Sequence, residues 1–203
     1  MAIIGFIGIG NMGLPMAQRL KDAGHEVRCF DTSAAASERA ERLGLRMRSS
    51  PSAAVDGADV VITMLPSGRH VLDVLVEAGV PLRDGALVID CSTIDVASCT
   101  AFHEALARKG LATLDAPVSG GVAGAAAGTL TFMVGGTQAA FERAEGLLRA
   151  MGKTIVHAGA AGAGQAAKIC NNMLAGISML AVSEALALAR RLGHREHLSL
   201  IHI

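Results

Sequence analysis

Gly8-Ile9-Gly10-Asn11-Met12-Gly13 has the glycine spacing of a turn that can receive a pyrophosphate, and Asp31 stands where a carboxylate would meet a ribose. The first glycine permits a tight strand-to-helix turn, the second lets the backbone approach the phosphates, and the third lets helix and strand pack closely. Phosphate oxygens then rest on free N–H groups at the positive end of a helix. A carboxylate at position 31 accepts hydrogen bonds from the ribose hydroxyls and repels a 2′-phosphate, so the expected cofactor is NAD rather than NADP. Thr32 and Ser33 follow it, and neither is an arginine that would receive that phosphate.

Lys168 and Asn172 supply a second kind of chemistry, because four residues apart on a helix they share a face. Most helix lysines are solvated, but Ala166, Ala167, Ile169 and Met173 around this one are apolar, so it is expected to interrupt a buried helix start. Burial disfavours the charged amine, and an oxidised nicotinamide would push the same way, which suits proton exchange near neutrality. Asp115-Ala116-Pro117-Val118-Ser119-Gly120-Gly121 joins a hydroxyl to two glycines whose N–H groups can converge on a carboxylate. A plain surface loop is the alternative there. Met64-Leu65-Pro66 and Asp90-Cys91-Ser92-Thr93 each end an expected strand. Ligands of open α/β sheets lie beyond the carboxyl ends of strands, so both turns are expected to border the cofactor unless they are ordinary connections.

Positioning these groups requires a sheet. Short β-branched runs at Ile3–Ile7, Val27–Phe30, Val60–Met64, Leu87–Asp90, Thr113–Asp115 and Thr131–Val134 alternate with helical stretches at Pro15–Asp22, Ala34–Leu43, Val71–Glu77, Val96–Arg108 and Gln138–Arg149. That alternation predicts an α/β fold, a Rossmann-type doubly wound and mostly parallel sheet over residues 1–164, covered by helices on both faces. From about Gln165 to Leu192 the strand signal gives way to one long helix. Its apolar core, Met173 to Ala189, contains Gly176, Ser178, Ser183 and Glu184 and falls short of the ~20 uninterrupted apolar residues of a membrane span, so a buried helix is expected.

The chain has 203 residues, 51% of them hydrophobic, enough for a sizeable core. With 18 basic and 18 acidic residues there is no field to attract nucleic acid or an anionic membrane, and neither partner is expected. Cys29, Cys91, Cys99 and Cys170 show no metal-ligand spacing, so no metal is expected and the thiols are read as reduced and mostly buried, in a cytoplasmic protein. The first apolar run is short, rich in glycine and not preceded by basic residues, and is read as a strand rather than a signal peptide.

Taken together, the segments GFIGIGNMGLPMA, TMLPSGRHV, DCSTI, DAPVSGGVAGAAAGTL and GAGQAAKICNNML resemble the β-hydroxyacid dehydrogenases, over residues 1 to about 195. His70-Val71 and Asp90-Cys91-Ser92-Thr93-Ile94 are more similar to the hydroxyisobutyrate branch of that family than to the tartronate semialdehyde reductase branch. The resemblance implies an NAD-linked oxidoreductase that oxidises the primary alcohol of 3-hydroxyisobutyrate to methylmalonate semialdehyde in valine breakdown. It implies Lys168 as general acid/base and Asn172 as the group that positions substrate and lysine. Ser119, Gly120 and Gly121 would hold the substrate carboxylate. Gly8, Ile9, Gly10, Asn11, Met12, Gly13 and Asp31 would hold the dinucleotide, with Leu65, Pro66 and Thr93 nearer its nicotinamide half. A tartronate semialdehyde or glyoxylate reductase, and a non-catalytic NAD-binding fragment or sensor, are the alternatives.

Members of that family continue into an all-helical second domain and, at full length, associate as homo-oligomers. The resemblance therefore implies that residues 165–197 are an interdomain helix and the start of a truncated helical domain. Leu198-Ser199-Leu200-Ile201-His202-Ile203 instead resembles the in-frame translation of a transposon end used in preparing sequencing libraries, and is set aside from the fold.

Overall fold

The computed structural model describes residues 1–193; the expectations for residues 194–197 and for Leu198–Ile203 lie outside the described residues. The chain divides into two compact units, Met1–Lys168 and Ile169–Ile203. The first is an α/β unit whose sheet is built from β1 (Ile3–Ile7), β2 (Glu26–Phe30), β3 (Arg46–Met47), β4 (Val60–Thr63), β5 (Leu87–Asp90), β6 (Ala112–Asp115), β7 (Val118–Ser119), β8 (Leu130–Gly136) and β9 (Gly152–Gly159). Spatially the strands run β3-β2-β1-β4-β5-β6-β8-β7, with β9 also paired to β8. The pairs from β3 to β6 are parallel, β8 is antiparallel to β6 and β7, and β9 is parallel to β8. The doubly wound, mostly parallel sheet expected from the sequence is thus present.

Side-chain alternation along the strands assigns the two faces. Ile4 and Phe6 of β1, Ile62 of β4 and Ile89 of β5 join one buried cluster with α1 (Gly13–Asp22) and α7 (Gln138–Met151). Ile7, Val61 and Val88 point the other way, onto α3 (Pro51–Val55), α4 (Gly68–Leu72) and α5 (Val96–Ala107). Strands buried on both faces read as near-continuous apolar runs, which is why β1, β4 and β5 are plain in the sequence. Each buried Ile, Leu or Phe contributes roughly 1.5–3 kcal/mol relative to exposure.

Three strands escape the sequence reading. β3 and β7 are two residues long, and β9 is an edge strand with exposed positions and two register irregularities against β8, so none shows a clean apolar period. The expected helix Val71–Glu77 starts earlier, at Gly68, and turns π-helical over Asp73–Glu77. α2 (Ala34–Arg42) begins at the N-cap Ser33, whose hydroxyl accepts from Ala36 N–H.

The last helix, α8 (Ala163–Arg191), corrects a second expectation. Met173–Ala189 is not buried: Met173, Leu174, Ile177, Met179 and Leu180 are all more than half exposed. The apolar run predicts a buried helix, but no described residue covers it. By length and mean hydropathy, 1.5 over its most apolar stretch, this helix also meets the measure of a membrane span. Ser178, Ser183 and Glu184 interrupt it, and length and composition alone assign it no membrane.

Candidate active site

The dinucleotide turn is built by close approach at two of its glycines. A side chain on Gly8, which has φ of +90°, would collide with the carbonyl of Met64, and one on Gly13 would collide with the carbonyl of Gly8. A side chain on Gly10 would meet nothing within 4 Å. Space is therefore left at the one glycine where a ligand must approach. Gly10 and Asn11 are exposed, and no described side chain caps the first turn of α1, so its N–H groups are available to an anion.

Asp31 is set by the same turn. Its Oδ2 accepts from Ile9 N–H at 2.8 Å and its Oδ1 from Ser33 N–H at 2.8 Å. Ile9 itself is fully buried, so it acts through its backbone. A carboxylate oxygen has two lone pairs, and each of these oxygens keeps capacity for a ribose hydroxyl. Gly8, Gly10, Asp31, Leu65 and Pro66 line a cleft of about 340 Å³ together with His70 and Asp73. Within this cleft Asp31 and the open glycine turn fit the ribose and pyrophosphate of a dinucleotide. No spacing in the sequence marks His70 and Asp73 as cleft residues, because their place there depends on how α4 and the π-helical turn after it pack.

A buried hydrogen-bond chain ties the remaining turns together. Leu65 N–H donates to Ser92 Oγ at 2.8 Å, and Ser92 Oγ donates to Asp90 Oδ1 at 2.6 Å. Thr63 Oγ1 donates to the same oxygen at 2.7 Å. Asp90 Oδ2 has no partner, and burial pushes this carboxyl up to about 6 against the pull of Ser92 and Thr63. Thr93 is exposed between Ser92 and the buried Ile94.

Further along the sheet, Asp115 is fully buried and accepts from Gly162 N–H at 2.8 Å and Gln165 N–H at 2.9 Å, capping the start of α8. His103 Nε2 lies 3.0 Å from Asp115 Oδ1, and its Nδ1 lies 2.6 Å from Thr113 Oγ1. A neutral imidazole protonated at Nε2 satisfies both contacts. Cys99, His103 and Asp115 have donor atoms within 4.8 Å of one another, but the imidazole and carboxylate atoms are already committed to hydrogen bonds, so this trio fits a metal poorly.

Lys168 lies three residues after Gln165. It is half-buried rather than at the heart of a buried helix start, since Ala166 and Ile169 are exposed; Gly164 and Gln165 are the buried members of that turn. Desolvation nonetheless lowers the lysine below its ordinary value. Asn172 follows four residues later, within the second unit, in an exposed stretch of α8. Ser119 ends β7, and Gly120 and Gly121, with φ of +127° and +62°, open the short α6 (Gly121–Ala127). Cys29, Cys91 and Cys99 are buried and Cys170 is exposed; all four are free.

These features define a nucleotide-binding α/β domain, and the chain belongs to the family described as the NAD binding domain of 6-phosphogluconate dehydrogenase, which matches residues 3–159. Residues 162–200 match a second family, the NAD-binding region of NADP-dependent 3-hydroxyisobutyrate dehydrogenase. Among particular proteins, the chain is 50% identical over 196 residues to 3-hydroxyisobutyrate dehydrogenase of Pseudomonas aeruginosa, covering 95% of this chain and 66% of that one. It is 49% identical over 188 residues to NAD-dependent L-serine dehydrogenase of the same organism, covering 91% of this chain and 63% of the relative. The structure of Mycobacterium tuberculosis 3-hydroxyisobutyrate dehydrogenase with L-serine superposes with a TM-score of 0.93 at 47% identity, covering 96% of this chain and 67% of that one. The chain thus spans just under two thirds of the length of these curated relatives.

Proposed function

We propose that this chain carries the cofactor-binding half of an NAD-dependent 3-hydroxyacid dehydrogenase that oxidises 3-hydroxyisobutyrate to methylmalonate semialdehyde, as in valine breakdown. The observation that carries the reading is the pairing, in one compact unit, of an anchored Asp31 beside an open phosphate turn with a lysine held below its ordinary pKa. The relatives named for this reaction support it.

A bound nicotinamide would supply the hydride acceptor for the carbinol carbon. Lys168, as a neutral amine, takes the hydroxyl proton in the same oxidation and returns it in the reverse direction. Ser119, Gly120 and Gly121 hold the substrate carboxylate, and Asn172, one helical turn beyond Lys168, orients substrate and lysine. Thr93, with Leu65 and Pro66, borders the nicotinamide half. Asp31 selects NAD by accepting from both ribose hydroxyls and repelling a 2′-phosphate. We further read the protein as cytoplasmic, which its free cysteines support, and as a homo-oligomer at full length.

L-Serine is the second substrate to weigh, because it too carries a primary alcohol β to a carboxylate, one relative is named for it, and one similar structure includes it. The test is a steady-state screen of the full-length protein with 3-hydroxyisobutyrate, L-serine and glycerate, each with NAD and NADP. The highest kcat/KM is expected for 3-hydroxyisobutyrate with NAD. A higher value for L-serine would reassign the substrate, and one for glycerate with NADP would move the protein to the tartronate semialdehyde reductase branch.

A further inference from the structure

Gln165 is a polar side chain with no exposed surface, and such a group is costly unless its hydrogen bonds are made. Its Nε2 donates to Ser92 O at 2.7 Å, and its Oε1 accepts from Ile94 N–H at 3.2 Å. The two contacts bracket Thr93 on either side. The backbone N–H of Gln165 is itself held by Asp115 Oδ2, and Asp115 is held by His103. Two glycines allow the close packing around this carboxylate: a side chain on Gly135 would strike Asp115 Oδ1, and one on Gly164 would strike the carbonyl of Met133 and come within 2.7 Å of Asp115 O and 2.8 Å of its Oδ2. A buried amide, a buried carboxylate and two omitted side chains thus converge on one turn. A leucine at 165 would fill the volume but could join neither Ser92 O nor Ile94 N–H.

We propose that Gln165 is a positioning residue, which fixes the Thr93 turn against the start of α8 and so sets the distance between the nicotinamide-bordering loop and Lys168, one helical turn on. Asp115 and His103 act through it, by holding the helix start in register. The inference rests on the reading of Lys168 as the acid/base and of Thr93 as a neighbour of the nicotinamide. Its consequence is catalytic rather than only structural: the reacting groups are misplaced when the bracket is lost, while the dinucleotide turn at Gly8–Gly13, which shares none of these bonds, keeps its affinity.

The test uses Gln165→Leu, Gln165→Glu and Lys168→Ala in the full-length protein, with amide hydrogen exchange read alongside kinetics. In Gln165→Leu the Ile94 amide should exchange faster while the amides of β5 keep their protection, kcat should fall about 10- to 100-fold, and KM for NAD should stay within about twofold. Gln165→Glu keeps the acceptor for Ile94 N–H and loses the donor for Ser92 O until the carboxyl is protonated. Its kcat relative to the parent, in the reducing direction, should therefore rise as pH falls, a recovery that lost packing would not produce. That ratio is also the decisive readout if Gln165→Leu fails to fold, and a ratio flat with pH would overturn the proposal. So would a Gln165→Leu protein whose Ile94 amide is freed but whose kcat stays within about twofold of the parent, provided Lys168→Ala is inactive. If Lys168→Ala itself retained kcat, the acid/base reading would fail first and this inference with it.

Discussion

The two glycine-rich turns of the first unit, Gly8–Gly13 and Gly159–Gly164, look alike in composition and do opposite things. At the first, two glycines allow close packing and the third leaves open space facing solvent, so the turn is shaped around something that is not protein. At the second, a side chain on Gly164 would strike the carbonyl of Met133 and crowd both the carbonyl and the carboxylate of Asp115, which lies on another strand and caps α8 from within. One turn presents N–H groups outward to an anion, while the other receives its anion from the fold. At the first turn the internal carboxylate of Asp31 bonds Ile9 N–H and leaves the start of α1 uncapped by any described side chain, whereas Asp115 bonds the start of α8 itself.

The sharpest way to break this comparison is to add one methyl group at each turn. Gly164→Ala and Gly13→Ala place a carbon against backbone carbonyls and should each cost about 3 kcal/mol or more, read from denaturant unfolding. Gly10→Ala meets nothing in the protein, so its stability should match the parent while NAD binding, followed by titration calorimetry, weakens. Equal stability losses at positions 10 and 164 would erase the distinction.

Asp90, between the two turns, sharpens it through pH. Burial raises this carboxyl from 3.8 to about 6, so stability linked to its protonated form is fully present below about pH 4 and is lost as pH rises through 6. Asp90→Asn carries no charge at any pH. Its stability should exceed the parent's above pH 7 by about 3 kcal/mol at most, and the difference should vanish toward pH 4. Thermal melts from pH 4 to 8 check this, and a constant offset would assign the effect to packing.

A smaller effect is expected at Asp31, whose side chain faces the cleft. Asp31→Ala removes the ribose contacts and the repulsion of a 2′-phosphate, so NAD affinity should fall about tenfold and the gap to NADP should narrow. Competitive titration of both dinucleotides measures it. A parent protein that already prefers NADP would refute the role given to the carboxylate.

The first turn was legible in the sequence and the second was not, for a physical reason. Gly8, Gly10, Gly13 and Asp31 act through spacing within one βαβ unit, and the strands that carry them are apolar on both faces. Gln165 and His103 are ordinary polar residues until β5, β6 and α8 bring Ser92, Asp115 and the helix start together, across separations of 50 to 73 residues for the bonds of Gln165. Composition misled at Met173–Ala189, where an apolar helix read as buried is exposed in the second unit. It also made the surroundings of Lys168 look drier than they are, although the direction of the lysine's pKa shift agrees with the expectation.

The central claim is that Lys168 moves the proton, and the most direct measurement is the kinetics of Lys168→Ala and Lys168→Arg in the full-length protein. The alanine variant should lose about 10² to 10⁴ in kcat with NAD affinity unchanged, the range of a positioned acid/base group. Arginine should be nearly as damaging, because a guanidinium stays protonated and accepts no proton. A preserved kcat with a raised KM in either variant would contradict the account and reduce Lys168 to a carboxylate-binding charge.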